Sequence, residues 1–382
     1  MKNQPITILV TGGAGYVGSH SVLLLLNQGH RVIVVDNCSN SPMGDFDSNG
    51  NIEQMPESLK RVEQLAGRQL TAFFKLDLVL DSLDDVFRNH KIRAVIHFAA
   101  MKSVSESIDL PLEYYTNNIV GTINLLNTMN RFGCKELIFS SSATVYGLPQ
   151  YMPVDESHQV GLNILNPYGR TKYMIEQILQ DLCTSTKHNE RNQTTQGWNI
   201  ISLRYFNPVG AHPSGYIGEH SKDVPNNLMP YISQVAIKRR ERLYIFGNDF
   251  DTPDGTGVRD YIHIMDLANG HTHALDFLLG QENKGKSCYK AYNLGTGKGY
   301  SVLEVIKTFE AVNDVKIPYE VTGRRLGDAG EVYADVSLAL KELGWSAKYS
   351  ISEMVRDTYK WQSQFPEGFK TCSKVPFGSE KV

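Results

Sequence analysis

A tyrosine and a lysine stand four residues apart in the stretch NPYGRTK, residues 166–172. Side chains at i and i+4 lie on one face of a helix, and Pro167 suits a first helical position. Tyr168 and Lys172 would therefore present a phenol and an ammonium side by side. A chain with 19 tyrosines can contain such a pair by chance, so its surroundings must give it meaning.

A glycine-rich turn near the start of the chain has the composition of a dinucleotide-binding site. The stretch ILVTGGAGYVG, residues 8–18, is typical of a strand, a turn and a helix in succession. Glycine is needed where the backbone turns tightly against a pyrophosphate, and the helix N-terminus offers free N–H groups and a partial positive charge. The alternative is a plain turn between a strand and a helix.

An acidic residue follows this turn at the position that favours NAD. Asp36 ends the next predicted strand, and a carboxylate there accepts bonds from ribose hydroxyls and repels a 2′-phosphate. We therefore predict NAD rather than NADP as cofactor. Asp77, Lys102 and Asn118 follow later strands and are expected to reach the adenine or the nicotinamide ribose.

The phenol is a useful base only if its pKa falls from near 10 towards neutrality, which needs about 4 kcal/mol of preferential stabilisation of the phenolate. A neighbouring ammonium and a cationic nicotinamide ring, in a partly desolvated cleft, can supply that order of magnitude. The stretch FSSSATVYG, residues 139–147, adds hydroxyls at a strand end. We predict Tyr168 as the base, Lys172 as the cation that tunes it, and Ser142 as a hydrogen-bond donor or relay to the substrate.

Short β-branched apolar runs alternate with helical patterns through the first half of the chain, which is typical of parallel strands joined by crossover helices. The predicted strands are residues 6–10, 32–35, 71–75, 94–97, 136–139 and 200–203. The predicted helices are residues 16–27, 56–65, 83–89, 111–131 and 168–182. This order predicts an α/β protein with a Rossmann-type doubly wound sheet of six parallel strands.

The regular alternation ends after Phe206, where glycine- and proline-rich turns become frequent. We predict an NAD-binding Rossmann domain over residues 1–206, a smaller mixed α/β substrate-binding domain over 207–370, and a tail over 371–382. Residues 258–268 are a candidate for a return to the first domain. The polar stretches 39–51 and 184–196 are predicted to be surface loops.

Composition excludes several classes of function. A net charge of −3 argues against nucleic-acid or anionic-membrane partners. No signal peptide is evident, and no apolar run reaches the roughly 18 residues of a membrane span, so a cytoplasmic protein is expected. The five cysteines never form C-x-x-C and indicate reduced thiols. His271 and His273, two apart on a predicted helix, are expected to be solvated, and no metal site is predicted.

These motifs resemble the extended short-chain dehydrogenase/reductase superfamily. The chain is similar almost end to end to the UDP-glucose 4-epimerase family, also called UDP-galactose 4-epimerases. The similar blocks include FAAMKSV, EYYTNN, FSSSATVYG, NPYGRTK, LRYFNPVGAHPSG, PNNLMPY, IFGNDFDTPDGTGVRDYIH and RRLGD. The later blocks are the more specific, because they belong to the sugar-nucleotide end of the molecule.

The resemblance implies two sets of binding residues and a homodimer built on the helices at 111–131 and 168–182. The cofactor set is Gly12, Gly15, Tyr16, Val17, Gly18, Asp36, Asn37, Asn40, Ser41, Asp77, Leu78, Phe98, Ala99, Ala100, Lys102, Asn118, Ser142, Tyr168, Lys172 and Tyr205. The substrate set is Lys102, Ser142, Tyr168, Phe206, Asn207, Asn226, Asn227, Leu228, Phe246, Arg259, Arg325, Asp328 and Val332. Planar arginine forks and paired amides in the second set suit a diphosphate and a uracil.

By resemblance, the reaction is the interconversion of UDP-galactose and UDP-glucose through a 4-keto intermediate, with no net redox change. Tyr168 would remove the proton of the 4-hydroxyl, and the sugar would swing about its diphosphate link. Family members restricted to these two sugars resemble one another in carrying a tyrosine where this chain has Val332. The smaller valine predicts additional activity on UDP-N-acetylglucosamine and UDP-N-acetylgalactosamine.

Other functions fit the residues less well. A related sugar-nucleotide 4,6-dehydratase would carry an Asp-Glu pair after the strand-end hydroxyl, where this chain has Ala143 and Thr144. A simple alcohol dehydrogenase would not need the diphosphate-binding blocks. A non-catalytic NAD sensor would not need Ser142, Tyr168 and Lys172 together. Another NAD-dependent sugar-nucleotide-modifying enzyme of the same superfamily stays as the alternative.

Overall fold

The structure is a computed structural model that describes residues 4–43, 55–185, 197–221, 224–280, 287–325 and 328–370. Its largest element is a seven-stranded parallel sheet in the order β10-β6-β5-β4-β1-β2-β3. The strands are β1 (Thr7–Thr11), β2 (Arg31–Asp36), β3 (Ala72–Lys75), β4 (Ala94–His97), β5 (Glu136–Ser142), β6 (Asn199–Tyr205) and β10 (Cys288–Leu294). The prediction of an α/β Rossmann-type fold is confirmed.

Helices cover both faces of this sheet, as expected where parallel strands are buried on two sides. They are α1 (Tyr16–Asn27), α2 (Glu57–Ala66), α3 (Asp84–Asn89), α4 (Val104–Asp109), α5 (Pro111–Tyr115), α6 (Gly121–Arg131), α7 (Pro167–Thr184) and α9 (Ile264–Leu279). One apolar cluster joins α1 and α9 to one face, and a second joins α3, α6 and α7 to the other.

The seventh strand, β10, is absent from the predicted set of six strands. Its sequence CYKAYNL lacks a continuous apolar run, because β10 lies at the sheet edge and its first four residues are only partly buried. The chain reaches β10 through α9, which packs against α1. The return to the first sheet therefore begins at Ile264, and residues 258–263 belong to a different sheet.

The rest of the chain forms short mixed elements. A four-stranded sheet contains β7 (Asn207–Val209), β9 (Val258–His263), β11 (Gly299–Ser301) and β13 (Glu331–Val332), with β9 pairing to the other three. A two-stranded sheet pairs β8 (Leu243–Phe246) with β12 (Tyr319–Thr322). Helices α8 (Leu228–Ala236), α10 (Val302–Asn313) and α11 (Ile351–Gln364) complete a separate apolar cluster around Ile232 and Phe309.

The predicted helix at 111–131 is continuous but not uniformly α-helical. A π-helical turn, Thr116–Val120, lies between α5 and α6. Such turns insert one residue into the helix and are frequent at functional sites. Here the turn contains the buried Asn118.

Several sequence predictions lie wholly or partly outside the described residues. They are the tail at 371–382, most of the stretches 39–51 and 184–196, and residues 326–327 of the RRLGD block. The four cysteines within the described ranges, Cys38, Cys134, Cys183 and Cys288, are free thiols. In the same ranges, no helix has the length and apolar character needed to cross a bilayer.

Candidate active site

One cavity lies at the C-terminal ends of β1, β2 and β4, where open α/β sheets bind ligands. Most of the predicted cofactor residues line it. They are Gly12, Gly15, Tyr16, Val17, Gly18, Asp36, Asn37, Asn40, Ser41, Leu78, Phe98, Ala99, Ala100, Lys102, Tyr168, Lys172 and Tyr205. Three predicted residues, Asp77, Asn118 and Ser142, are not part of the lining.

The glycine-rich turn needs its glycines for steric reasons. Gly12 has a φ of +70°, and a Cβ there would lie 2.5 Å from the backbone nitrogen of Ala99. A Cβ at Gly18 would lie 2.2 Å from the carbonyl oxygen of Gly12, so the helix could not approach the turn this closely. Gly15 precedes α1 without a side-chain cap, which leaves N–H groups of the first turn facing the cavity region. This geometry fits a pyrophosphate.

Asp36 is buried and holds the turn in place. Its Oδ2 accepts a hydrogen bond from the Ala14 N–H at 3.0 Å, and its Oδ1 accepts one from the Cys38 N–H at 2.8 Å. Burial raises the pKa of this carboxyl, and the two N–H donors oppose that rise. Asp77 lies behind the cavity wall, where its Oδ2 accepts from the Asn37 amide at 2.9 Å.

A segment from beyond β7 closes one side of the cavity. The Lys102 ammonium pairs with the Glu219 carboxylate at 2.6 Å, and the Tyr16 hydroxyl donates to the Gly210 carbonyl at 2.6 Å. His220 also lines the cavity. Glu219 and His220 were missed from sequence, because they follow no strand end and match no motif used in the prediction.

Asn118 supports the site from behind instead of lining it. Its Oδ1 accepts from the Met101 N–H at 2.8 Å, and its Nδ2 donates to the Met101 carbonyl and, at 3.0 Å, to the Thr171 hydroxyl. Both amide atoms are therefore committed to protein partners. Asn118 ties the segment that carries Lys102 to the helix that carries Lys172.

Tyr168 and Lys172 lie in the first turns of α7, where the Asn166 side chain caps the helix by accepting from the Gly169 N–H at 2.8 Å. Both side chains are largely buried, at 8% and 2% exposure. The Lys172 ammonium donates to the Ser140 carbonyl at 2.6 Å and lies 5.9 Å from the centre of the Tyr168 ring. The predicted pair is therefore brought together.

The electrostatics of this pair differ from the expectation. Burial raises the pKa of Tyr168, and a hydrogen bond with the Ser142 hydroxyl opposes the rise. Burial lowers the pKa of Lys172 to about 7, and Glu176 opposes that fall. Desolvation is the largest cause of both shifts, so an additional positive charge is needed beside the phenol to favour the phenolate.

A second cavity of about 490 Å³ lies between β7, β8, β9 and α8. Eight of the predicted substrate residues line it: Asn207, Asn226, Asn227, Leu228, Phe246, Arg259, Arg325 and Asp328. The Arg325 guanidinium stacks 3.7 Å from the centre of the Phe246 ring, and Arg259 contacts the Asp328 carboxylate at 3.4 Å. The cavity therefore combines two planar cations with several amides.

The two cavities adjoin through shared segments of chain. Lys102 and Tyr205 line the first cavity, and Val104 and Asn207 line the second. Three predicted substrate residues, Ser142, Phe206 and Val332, line neither cavity.

Phe206 and Val332 belong to another part of the structure. They pack in one apolar cluster with Ala143, and Val332 pairs with Arg259 across β13 and β9.

The prediction that His271 is solvated is wrong. Its ring is fully buried, 4.7 Å from the Phe98 ring and near Tyr205, and burial lowers its pKa to about 4. The reason is that α9 packs against the large sheet and not against solvent. Across the described ranges, no cluster of three His, Cys, Asp or Glu side chains is arranged to hold a metal ion.

Comparison with known proteins agrees with this architecture. The family profile described as GDP-mannose 4,6 dehydratase matches residues 9–358. A UDP-glucose 4-epimerase from Bos taurus is 52% identical over 366 residues, which cover 95% of this chain and 98% of that protein.

Solved structures agree as well. The UDP-glucose 4-epimerase of Bifidobacterium longum, in complex with NAD⁺ and UDP, is 44% identical with a TM-score of 0.83, covering 95% of this chain and 99% of that one. The Stenotrophomonas maltophila enzyme, with bound NAD and formylated UDP-arabinopyranose, has the same identity and TM-score and covers 94% of this chain and 98% of its own. The chain therefore belongs to the family that the profile describes and, within it, to the UDP-glucose 4-epimerases.

Proposed function

We propose that this protein is an NAD-dependent epimerase that interconverts UDP-galactose and UDP-glucose through a 4-keto intermediate. One observation carries the proposal. Tyr168 and Lys172 lie in a glycine-built cavity that adjoins a second cavity containing Arg259 and Arg325. A sugar attached to a diphosphate in the second cavity would extend towards the phenol.

The cofactor proposal rests on the shape and charge of the first cavity. The glycine turn leaves room for a pyrophosphate beside the N-terminus of α1. The Asp36 carboxylate disfavours a 2′-phosphate and so favours NAD over NADP. Bound NAD⁺ would supply a reversible hydride acceptor for carbon 4 of the sugar, and its cationic ring is the additional positive charge that the phenol needs.

The protein's own groups would handle the proton and hold the substrate. Tyr168 takes the proton from the 4-hydroxyl, and the nearby Ser142 hydroxyl, which lowers the pKa of the phenol, shares that proton's path. Arg259 and Arg325 hold the diphosphate while the 4-keto sugar turns. Tyr168 then returns the proton after the opposite face of carbon 4 has been reduced. Because the diphosphate is bound firmly by polar groups, the sugar itself can be held loosely enough to turn.

Dehydration is disfavoured by the residues that follow Ser142. Ala143 packs in the apolar cluster with Phe206, and the Thr144 hydroxyl is buried without a hydrogen-bond partner among the described residues. Neither side chain can act as the carboxylate pair that removal of water would need. The chain therefore matches a family profile that is described by a dehydratase, while its own residues do not fit dehydration.

The proposal is tested by incubating the purified protein with UDP-galactose and no added nucleotide cofactor, and separating the products. We expect UDP-glucose to accumulate to equilibrium with no net change in nicotinamide absorbance. A stable 4-keto or dehydrated product would instead support the alternative of another sugar-nucleotide-modifying activity. UDP-galactose recovered unchanged would contradict both.

We further propose a division of labour, in which the seven-stranded sheet with α9 holds the cofactor and the remaining segments after residue 207 hold the UDP-sugar. A cytoplasmic homodimer is proposed as well. Exposed apolar side chains occur on the neighbouring elements α4, α5, the π-helical turn and α7, including Ile108, Leu112, Val120 and Met174. Sedimentation of the purified protein at twice the chain mass of 42.8 kDa would support the dimer.

We also propose activity on the N-acetylated pair of UDP-hexosamines. Val332 packs in one apolar cluster with Phe206, and its strand partner Arg259 lines the second cavity. A valine there leaves more volume than a tyrosine would, and a pocket rejects an added group mainly through lack of space.

A further inference from the structure

Three successive serines of β5, residues 140–142, contact three residues of α7 that are spaced four apart. The carbonyl of the first accepts from Lys172, and the hydroxyl of the third lies close enough to Tyr168 to oppose the rise in its pKa. The hydroxyl of the second donates to the Glu176 carboxylate at 2.6 Å. Because residues four apart share a helix face, Glu176 extends the catalytic row by one turn. The mechanism above gives Glu176 no role.

Glu176 has no solvent exposure and is held by a fixed set of donors. The Arg204 guanidinium binds it through two nitrogens, at 3.0 Å and 2.7 Å. Arg204 also donates to the Tyr146 hydroxyl at 3.1 Å, and that hydroxyl donates to the Asn293 side-chain oxygen at 2.7 Å. The network thus links α7 to β5, β6 and β10.

A buried ion pair of this kind is a poor source of stability, because desolvation of both charges offsets their attraction. A packed apolar pair would stabilise the same space at least as well. The carboxylate also lies on the Lys172 side of the pair, one helical turn away on the same face. Its charge therefore acts on the ammonium as well as on Arg204.

We propose that Glu176, fixed by Arg204 and the Ser141 hydroxyl, is a positioning residue that keeps Lys172 charged and aligned beneath Tyr168. This inference rests on the proposed function for its meaning in catalysis. Burial brings the pKa of Lys172 down to about 7 even with Glu176 in place, so without this carboxylate the ammonium would lose its proton below neutral pH, where an epimerase must work. Glu176 supplies the opposing negative charge without itself reaching the cavity, which it does not line.

The other groups around Lys172 leave this role to Glu176. His97 on β4 is buried, which lowers its pKa to about 3, so its ring is neutral at working pH. Burial raises the pKa of Tyr205 on β6 to about 12, and the pKa of Tyr114 on α5 is raised as well, so neither phenol is charged. Arg204 is always a cation and lies beyond Glu176. Glu176 is the group whose charge raises the pKa of Lys172.

Lys172 is charged below its pKa and loses that charge above it. Glu176→Gln removes the negative charge and leaves Arg204 unpaired, and both changes lower the pKa of Lys172. The alkaline limb of the pH–rate profile should therefore move to lower pH by roughly one to two units, as expected for loss of an opposite charge at this range.

The experiment compares pH profiles of kcat on UDP-galactose for the wild type, Glu176→Gln and Glu176→Asp. We expect Glu176→Gln to retain most of its kcat at acidic pH and to lose it at a lower alkaline pH than the wild type does. Glu176→Asp keeps the negative charge and should return the alkaline limb towards its wild-type position. The control is Glu136→Gln, which removes another buried carboxylate that pairs with an arginine, Arg93, at the opposite end of β5 from Ser140–Ser142. Its profile should match the wild type.

A second readout does not depend on turnover. The phenolate absorbance of Tyr168 is isolated by subtracting the titration of Tyr168→Phe in each background. In the NAD⁺-bound protein, where the cationic ring would bring the phenol towards the pH range in which Lys172 is charged, loss of the ammonium should move the Tyr168 titration to higher pH in Glu176→Gln. If that variant fails to fold, the double variant Glu176→Gln/Arg204→Gln leaves no unpaired buried charge and should show both shifts in reduced form.

A purely structural role would lower activity equally at all pH values. Superimposable alkaline limbs and phenol titrations in the wild type and Glu176→Gln would overturn the inference. An inactive wild type would overturn the proposed function instead, and the phenol titration would still decide the effect of Glu176 on the pair.

Discussion

The two cavities are built by opposite means. The first is formed mainly by backbone, with glycines at the closest approaches and one buried acid, Asp36, that binds two main-chain N–H groups. The second is formed by long side chains, in which Arg259 and Arg325 lie among amides and an aromatic ring. Both arrangements suit a diphosphate, but one uses helix-end N–H groups and the other uses charge.

Because of this difference, substitutions of the binding residues should disturb the fold more in the first cavity than in the second. In the first cavity, the atoms that would contact a ligand are the atoms that connect β1 to α1, so a change there disturbs both. In the second, a guanidinium can be removed while the strand that carries it keeps its pairing. Substitutions should therefore reduce stability and cofactor content together in one region and affect substrate binding alone in the other.

The largest expected effect comes from the junction of the two cavities. Tyr168→Phe removes only the oxygen that takes the proton, so kcat should fall by about 10²–10⁴-fold, the usual contribution of a general base. Bound nucleotide and UDP affinity should be unchanged, since neither cavity loses a wall. Steady-state kinetics and UDP titration by calorimetry measure the two. If Tyr168→Phe turned over UDP-galactose as fast as the wild type does, Tyr168 would be excluded as the base.

The next effect is a combined loss in the backbone-built cavity. Gly12→Ala places a Cβ 2.5 Å from the Ala99 nitrogen at a φ of +70°, and we expect destabilisation of at least about 1–3 kcal/mol. Denaturant unfolding measures the stability. In the wild type, we expect the nucleotide released on denaturation to be NAD and not NADP. The Gly12→Ala variant should release less of it.

The matched control is Gly133→Ala, because Gly133 also has a φ of +70° but a Cβ there meets nothing within 4 Å. It should reproduce the backbone strain without the clash and should retain its nucleotide. Equal nucleotide content in Gly12→Ala and Gly133→Ala would show that close approach at Gly12 is not required.

A smaller and purely kinetic effect is expected in the second cavity. Arg325→Ala removes a charged hydrogen-bond donor worth about 1.5–3 kcal/mol, which corresponds to roughly a ten- to hundredfold rise in KM. The unfolding midpoint should stay close to that of the wild type. Arg324→Ala is the control, since neither Arg324 nor its partner Asp249 lines the cavity; the Arg324 guanidinium reaches it only by stacking on the lining residue Phe250. A similar rise in KM for both variants would contradict specific binding by Arg325.

The same contrast explains what could be predicted from the sequence. In the first region, apolar runs such as residues 8–10 and 32–35 are buried on both sides, so their composition alone indicates strands. β10 escaped prediction because an edge strand needs no such run. A short strand such as β13, only two residues long, forms through its pairing with β9 and leaves no periodic pattern in the sequence.

The site divides in a similar way. Residues on motifs or strand ends, such as Gly12, Asp36 and Tyr168, lie in the cavity where they were expected. Glu219 and the neighbouring His220 could not be placed, because Glu219 reaches the site through a long-range contact with Lys102. The pKa of Tyr168 could not be judged either, since the pairing of Tyr168 with Lys172 is visible in the sequence but the depth of their burial is not.

The smallest expected effect on the glucose pair concerns Val332, which lies next to both regions. It pairs with Arg259 on β9 and packs with Phe206 and Ala143, the residue that follows Ser142. We expect the wild type to interconvert UDP-N-acetylgalactosamine and UDP-N-acetylglucosamine, because a valine leaves space for the N-acetyl group. Val332→Tyr should remove this activity by filling that space and should leave UDP-galactose turnover within a few-fold of wild type. Val332→Ala keeps a small side chain at this position and should retain both activities. This control separates the loss of pocket volume from a general disturbance of β13. A wild type that is fully active on UDP-galactose and inactive on UDP-N-acetylgalactosamine would mean that another side chain of the Phe206 cluster already occupies the space.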